Sequence, residues 1–211
     1  RQIDADLLLP LDVMQPGQMQ AVFERIEREW GKLDFVIHSI AFAPRDDLHG
    51  RITDCSQAGF LQAMQVSCHS FIEMAHHAEK LLNPGGALIT MSYHGADKVV
   101  DHYNLMGPVK AALESSVRYL ANDLGPQGIR VNALCPSDIA SPMLDYQAQT
   151  YGAGDPAGYH ARLLAHYPQG TAARFLTPDE VAQNVAFLLS PAAAGITGAA
   201  IMLDFGLTAG Y

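Results

Sequence analysis

The stretch that decides the fold is Ala87-Leu88-Ile89-Thr90-Met91-Ser92-Tyr93-His94-Gly95-Ala96-Asp97-Lys98-Val99-Val100-Asp101-His102-Tyr103-Asn104-Leu105-Met106-Gly107-Pro108-Val109-Lys110. It begins with an apolar run of strand character, and a helical pattern of residues follows Lys110. Open α/β sheets hold their ligands where a strand ends beside the start of a helix. The stretch therefore predicts a sheet with a candidate site at the carboxyl end of this strand.

Two residues of the stretch, Tyr103 and Lys110, are seven positions apart. On a helix this spacing is close to two turns, so both side chains would lie on one face. A neighbouring ammonium can lower the pKa of a phenol and can bind hydroxyl groups of a ligand. Spacing alone also allows a second interpretation, in which a surface tyrosine and a surface lysine share a face by coincidence.

Outward from this stretch, apolar runs of strand character alternate with helical patterns. The predicted strands cover residues 7–13, 33–40, 87–91, 128–135 and 199–203. The predicted helices run from 16 to 30, from a cap at Asp54 or Ser56 to about 82, from 111 to 124, and from 181 to 189 behind a capping box formed by Thr177 and Glu180. Such alternation predicts an α/β fold with a doubly wound parallel sheet.

The segment between residues 140 and 174 lacks this periodicity and is rich in Gly, Pro, Tyr, Gln and His. A loop of that length within a compact domain is typical of a lid, a binding loop or a mobile segment. A chain of 211 residues that is 49% hydrophobic has enough material for one core. We therefore expect one domain over residues 1–211, with a lid segment at about 140–174.

Composition excludes several classes of function. The formal net charge is −9 and the basic residues are scattered, which argues against a nucleic-acid partner or an anionic membrane surface. No apolar run approaches the roughly 18 residues of a membrane span. The three cysteines form no C-x-x-C pair and favour a reducing, cytoplasmic location. The nine histidines show no metal-binding spacing, so no metal site is predicted.

Several motifs resemble those of the divergent short-chain dehydrogenases/reductases, which have a Rossmann-like sheet. Within them the chain looks most like the bacterial NADH-dependent enoyl-acyl-carrier-protein reductases. The matching runs are 38–44, Ser92-Tyr93, 103–114, 117–121, 128–133, 177–182, 187–190 and 196–198. Together they span nearly the whole chain, and the weakest match lies between 140 and 174.

The spacing of the tyrosines carries the resemblance to the enoyl reductases. Other members of the superfamily have Tyr-x-x-x-Lys with a serine thirteen residues before the tyrosine, whereas here those two positions are Met106 and Tyr93. The enoyl reductase pair of tyrosines is present instead, as Tyr93 and Tyr103. The resemblance implies reduction of the carbon-carbon double bond of an enoyl-acyl-carrier-protein thioester by NADH in fatty acid synthesis, with NADPH as the other possible donor.

The resemblance also implies a role for individual residues. Tyr103 would donate its hydroxyl proton to the enolate oxygen, and Tyr93 would shape the substrate pocket. Lys110 would bind the hydroxyl groups of the nicotinamide ribose. The further cofactor contacts would be Asp12 and Val13 at the adenine ring, Ser39, Ile40 and Ala41 beneath the adenosine ribose and pyrophosphate, and Ile139 beside the carboxamide. An acyl-carrier-protein partner and a homo-oligomer, specifically a homotetramer, are implied as well.

Two departures from the family pattern leave other functions open. The loop from Pro136 to Met143 is more similar to that of reductases acting on carbonyls, which favours a carbonyl or other alkene reductase as the alternative. No glycine-rich phosphate loop precedes Leu7, so the chain as given is expected to lack the first strands of the sheet. A non-catalytic remnant without the cofactor loop is the third hypothesis.

Overall fold

A computed structural model of the chain describes residues 5–210. They form one sheet of four parallel strands in the order β1-β2-β3-β4. The strands are β1 (Leu33–His38), β2 (Leu82–Met91), β3 (Arg130–Pro136) and β4 (Ala200–Leu203). Because all four run in the same direction, their carboxyl ends share one edge of the sheet. The predicted parallel α/β fold is confirmed.

Eight α-helices accompany the sheet within the described residues. They are α1 (Gln18–Trp30), α2 (Arg45–Leu48), α3 (Gln57–Met64), α4 (Ser70–Ala78), α5 (Met106–Leu124), α6 (Pro142–Tyr151), α7 (Pro156–Leu164) and α8 (Pro178–Leu189). A π-helical turn (Gln65–His69) joins α3 to α4 into one long helix. Ser56, one of the two candidate caps, begins this helix by accepting a hydrogen bond from the backbone N–H of Gly59.

Both faces of the sheet are covered, as expected for a doubly wound fold. On β2, Leu88 belongs to a core that includes residues of α1, α4 and α5, whereas the next residue, Ile89, packs with residues of α8. On β3, Ala133 belongs to the first core, and the next residue, Leu134, packs on the side of α8. Consecutive strand residues point to opposite faces, so this alternation places an apolar layer on each side of the sheet.

The prediction of a strand at residues 7–13 is wrong. The segment is irregular and turns directly into α1. The backbone N–H of Met14 donates to the carboxylate of Asp12 at 2.9 Å, and the N–H of Asp12 donates to the side chain of Gln18 at 2.9 Å. These local bonds use the polar groups that a strand would direct to a neighbour, and Pro10 has no N–H to offer.

The long helix and the lid also differ from prediction. The helix that was expected to reach about residue 82 ends at Ala78, because Leu82 already pairs with Leu33 in the sheet. Residues 140–174 are not one loop, since they contain α6 and α7. These helices are short and bury few side chains, so they lack the apolar periodicity that reveals a helix in a sequence. The capping box of α8 is confirmed.

Candidate active site

The candidate site lies at the carboxyl edge of the sheet, where β1, β2 and β3 each run into a loop. Ser39 to Ala41 follow β1, Ser92 and Tyr93 follow β2, and residues 137–139 follow β3. Tyr103 lies in the turn that precedes α5, not on the helix, because α5 begins at Met106. Tyr103 and Lys110 therefore do not occupy two turns of one helix. The structure bears out the alternative that Pro108 implies, namely that the helix starts near Gly107 and leaves Tyr103 on the preceding turn.

This helix start accommodates Pro108. Pro108 is the third residue of α5, so its missing N–H falls among the first four, which have no partner within a helix. The turn before the helix is closed by two backbone bonds, from Tyr103 N–H to Val100 O at 3.2 Å and from Met106 N–H to Tyr103 O at 2.9 Å. A proline early in α5 thus leaves Tyr103 free to project from a turn.

The two tyrosines lie in contact. Their ring centroids are 4.8 Å apart and their planes are inclined by 60°. Gly95 makes this packing possible, because a Cβ atom at that position would lie 2.5 Å from Cδ1 of Tyr103 and 3.2 Å from Cδ1 of Tyr93. The structure therefore brings together the two phenols that the sequence identified ten residues apart.

Both phenols are held in the neutral form. Burial raises the pKa of Tyr103, and the nearby Cys135 and Glu114 raise it further. Burial also raises the pKa of Tyr93, with Asp138 as the next contribution. The expectation that a neighbouring ammonium lowers the pKa of Tyr103 is not met, because desolvation of the phenolate dominates. A protonated phenol in a dry site is a hydrogen-bond donor for a developing oxyanion.

Lys110 is buried beside the end of β2. Only 6% of its surface is exposed, and Nζ donates to the carbonyl oxygen of Met91 at 2.7 Å. Burial lowers the pKa of Lys110 to about 8, against the opposing effect of Cys135 and Glu114. Since Ser92 and Tyr93 follow Met91 directly, the ammonium sits at the base of the loop that carries the first tyrosine.

A carboxylate that sequence reasoning missed supports this region. Glu114 accepts hydrogen bonds from the hydroxyl of Ser92 at 2.6 Å and from the thiol of Cys135 at 3.5 Å. It lies one helical turn after Lys110, so the two side chains leave α5 on the same face. In the sequence, the signal for Glu114 was its position four residues after Lys110 in a helical pattern.

The loop after β1 is held by a second residue that was missed as a site residue. The hydroxyl of Ser67 accepts from the backbone N–H of Phe42 at 2.9 Å and donates to its carbonyl at 3.0 Å. Ser67 belongs to the π-helical turn, a feature that is frequent at functional sites. Ser39 and Ala41 are exposed and Ile40 is half-buried, so small residues leave room at this strand end.

The first two predicted cofactor residues lie on the segment before α1. Asp12 is exposed, and its carboxylate is used in the turn to Met14. Val13 is half-buried and packs against the same core as Ile40.

The loop after β3 is polar and enclosed. Tyr167 donates to the carboxylate of Asp138 at 3.2 Å, and burial raises the pKa of Asp138. Ile139 forms a β-bridge with Leu176. Among residues 5–210, three buried side-chain atoms have no hydrogen-bond partner: His94 Nδ1, Ser137 Oγ and His160 Nε2. His94 and His160 oppose the rise in the pKa of Asp138, so both lie near its carboxylate. The three unpartnered atoms therefore surround this loop.

Two further features bear on the classes of function. Within residues 5–210, no three or more His, Cys, Asp and Glu side chains are grouped so as to hold a metal ion. None of the helices in the same range combines the length and the apolar character that crossing a bilayer requires.

His38 is one of the buried histidines, and its ring nitrogens form hydrogen bonds with the hydroxyl groups of Thr90 and Ser70 at 2.8 Å each.

Comparison with known proteins agrees with this geometry. The sequence model of the enoyl-(acyl carrier protein) reductase family matches residues 1–208. The enoyl-[acyl-carrier-protein] reductase [NADH] FabI of Rickettsia bellii is 38% identical over 205 residues, which are 97% of this chain and 75% of the relative.

Solved structures show the same likeness. The crystal structure of FabI from Candidatus Liberibacter asiaticus superposes with a TM-score of 0.85 at 36% identity, over 98% of this chain and 76% of that one. The reductase from Anaplasma phagocytophilum, solved in complex with NAD, gives a TM-score of 0.82 at 38% identity, over 95% of this chain and 73% of that one.

The parallel sheet and the likeness to these relatives define an oxidoreductase of the short-chain dehydrogenase/reductase type, with Tyr93, Tyr103 and Lys110 as its candidate site residues. Within that class, the chain belongs to the enoyl-acyl-carrier-protein reductase family.

Proposed function

We propose that this protein reduces the carbon-carbon double bond of an enoyl-acyl-carrier-protein thioester with NADH, as a step of fatty acid synthesis. The observation that carries the proposal is the contact of Tyr93 with Tyr103, beside the buried Lys110, at the carboxyl edge of the sheet. Membership of the family supplies the substrate class, because its relatives are named for this reaction.

The residues present fit a dinucleotide. Lys110 uses one donor on Met91 and, as an ammonium, has two more for ribose hydroxyls. Ser39 and Ala41 give the strand end around Ile40 two small, exposed side chains, and Ile139 lies on the loop after β3. Asp12 and Val13 are proposed for the adenine ring. Bound NADH supplies the hydride that adds to the β-carbon of the substrate.

The protein's own part in the reaction is to stabilise and protonate the oxygen of the thioester. Tyr103 donates its hydroxyl proton to the enolate oxygen as negative charge develops there and regains a proton from solvent. The enol then takes a proton from solvent at the α-carbon and releases the one on oxygen, which gives the saturated thioester. Tyr93 packs on the ring of Tyr103 and limits the positions that it can take. Lys110 keeps a positive charge near the end of β2, which favours the enolate over the neutral carbonyl.

The direct test is oxidation of NADH measured with a crotonyl thioester of acyl carrier protein. Turnover that is lost in Tyr103→Phe supports the proposal. Turnover of a ketone without turnover of the enoyl thioester would favour the carbonyl reductase suggested by the sequence of the loop from Pro136 to Met143. Absence of both activities would favour a non-catalytic role. Parallel assays with NADPH decide the preferred cofactor.

We further propose that the protein is a homotetramer in the cytoplasm. Large apolar side chains are exposed on the outer faces of α3, α5, α8 and β4, and burying such surface favours association. They include Phe60, Leu61, Tyr119, Phe187 and Met202. Its three free cysteines suit a reducing compartment. Light scattering after size exclusion tests the assembly, and a monomer at micromolar concentration would refute it.

A further inference from the structure

Tyr151, the last residue of α6, connects two segments that are distant in the sequence. Its hydroxyl oxygen lies 2.7 Å from Nδ1 of His49, which follows α2. Its ring stacks on His102, with centroids 4.1 Å apart and planes inclined by 3°. His102 is the residue immediately before Tyr103, so Tyr151 contacts the turn that carries the proposed proton donor.

This turn has a backbone that requires support. His102 has φ of 61° and Asn104 has φ of 36°, so both neighbours of Tyr103 are in the left-handed region. Few residues other than glycine adopt this region, and those that do are held in it by their surroundings. Neither residue is a glycine, so contacts must compensate.

The required contacts come from the same two neighbouring segments. Asn104 donates from its side-chain amide to the carbonyl oxygen of Asp47 at 3.3 Å. His102 is held by the ring of Tyr151, which is itself bonded to His49. The two left-handed residues are therefore fixed by residues 47–49 on one side and by the end of α6 on the other.

We propose that Tyr151 is a positioning residue for Tyr103. The clasp, defined as the contacts of Tyr151 with His49 and His102, holds the turn so that the phenol of Tyr103 meets the substrate oxygen. This rests on the proposed function, since it assigns the clasp a part in the same reaction. A displacement of about 1 Å in a reacting group can lower a rate about 100-fold, so a contact outside the site can matter.

Two variants of Tyr151 separate the two contacts of the clasp, and a third variant is the control. Tyr151→Ala removes both the stack on His102 and the bond to His49, whereas Tyr151→Phe removes only the bond. Tyr146→Ala is the matched control, because Tyr146 is on the same helix and is 47% exposed. Each variant is measured for kcat and KM with the crotonyl thioester, and for hydrogen–deuterium exchange of residues 100–106.

The expected result for Tyr151→Ala is faster exchange of residues 100–106 and a kcat at least about tenfold lower, with the KM for NADH nearly unchanged. Tyr151→Phe should retain most of kcat because the stack remains, and Tyr146→Ala should match the wild type in both measurements. Unchanged exchange in Tyr151→Ala would overturn the clasp. Faster exchange with unchanged kcat would overturn the positioning role. An inactive wild type would refute the proposed function and the catalytic role of the clasp with it, and the exchange data would still decide whether Tyr151 holds the turn.

Discussion

The ammonium of Lys110 donates a hydrogen bond of 2.7 Å to the carbonyl oxygen of Met91, the last residue of β2. This bond links the second turn of α5 to the end of β2, and Tyr93 lies two residues beyond that end. A charged group is buried here because the carbonyl replaces part of its lost hydration. The same burial lowers the pKa of Lys110 to about 8, so the charge of the site changes within an accessible range of pH.

The titration of Lys110 predicts opposite effects of pH on activity and stability. Above pH 8 the ammonium is lost, so kcat/KM is expected to fall about tenfold per pH unit. Between about 8 and the ordinary value of 10.5, the unfolded chain binds a proton that the folded chain does not. The free energy of unfolding should therefore rise with pH across this window through this group.

Lys110→Met is the control for that prediction, because it keeps a side chain of similar length without the charge. Its free energy of unfolding should not show the rise between pH 8 and 10.5 that Lys110 gives the wild type, and its residual activity should not vary with pH in that range. The measurements are pH profiles of kcat/KM and of urea unfolding. A wild-type profile that stays flat through pH 9 would show that the charge of Lys110 is not required.

Replacing Tyr103 by Phe should remove the proton donor while preserving the ring contact with Tyr93. Loss of one donor to an oxyanion typically lowers kcat about 100- to 1,000-fold, and we expect that range with little change in the KM for NADH. Tyr93→Phe is the matched variant, with a smaller loss expected, since its proposed role is to shape the pocket. Equal losses in the two variants would contradict the division of roles.

Gly95→Ala should disturb both tyrosines. The added Cβ would lie 2.5 Å from the ring of Tyr103, so the ring or the backbone must move. We expect a loss of about 1–3 kcal/mol in the free energy of unfolding, together with reduced kcat. Gly125→Ala is the control, since its Cβ would meet no atom within 4 Å. Thermal unfolding and initial rates measure both effects, and a stable, fully active Gly95→Ala would contradict the packing argument.

Ser67→Ala should loosen the loop after β1. It leaves the N–H and the carbonyl of Phe42 without their partner, at a cost of about 1–3 kcal/mol. Because Ser39 to Ala41 lie on this loop, the KM for NADH should rise more than kcat falls. Ser116→Ala, which removes a bond to the carbonyl of Ala112 within α5 and a 3.7 Å bond with Sγ of Cys68 but leaves Phe42 untouched, is the comparison. Isothermal titration with NADH gives the change in affinity, and an unchanged affinity would place the cofactor elsewhere.

Much of the fold was predictable because its signals are local. Apolar runs identified β1, β2, β3 and β4 within a few residues, and the Thr177 to Glu180 capping box set the start of α8. The two failures have different causes. Leu82 joined the sheet instead of α4 because it pairs with Leu33, which is a tertiary contact, whereas residues 7–13 are irregular because polar groups at their end bond locally in a turn.

The sequence by itself determined the parallel α/β class and the family, and it predicted Tyr93, Tyr103 and Lys110 as site residues, since all of these depend on residue type and spacing. The tertiary structure alone decided that the pKa values of both phenols rise, because burial disfavours the charged phenolates. It alone revealed Ser67 as a support and Tyr151 as a contact of the Tyr103 turn, and it gave Glu114, which only its spacing from Lys110 indicated, its partners Ser92 and Cys135. Desolvation and contact between distant segments depend on which groups the folded chain brings together, and no local pattern of residues records that.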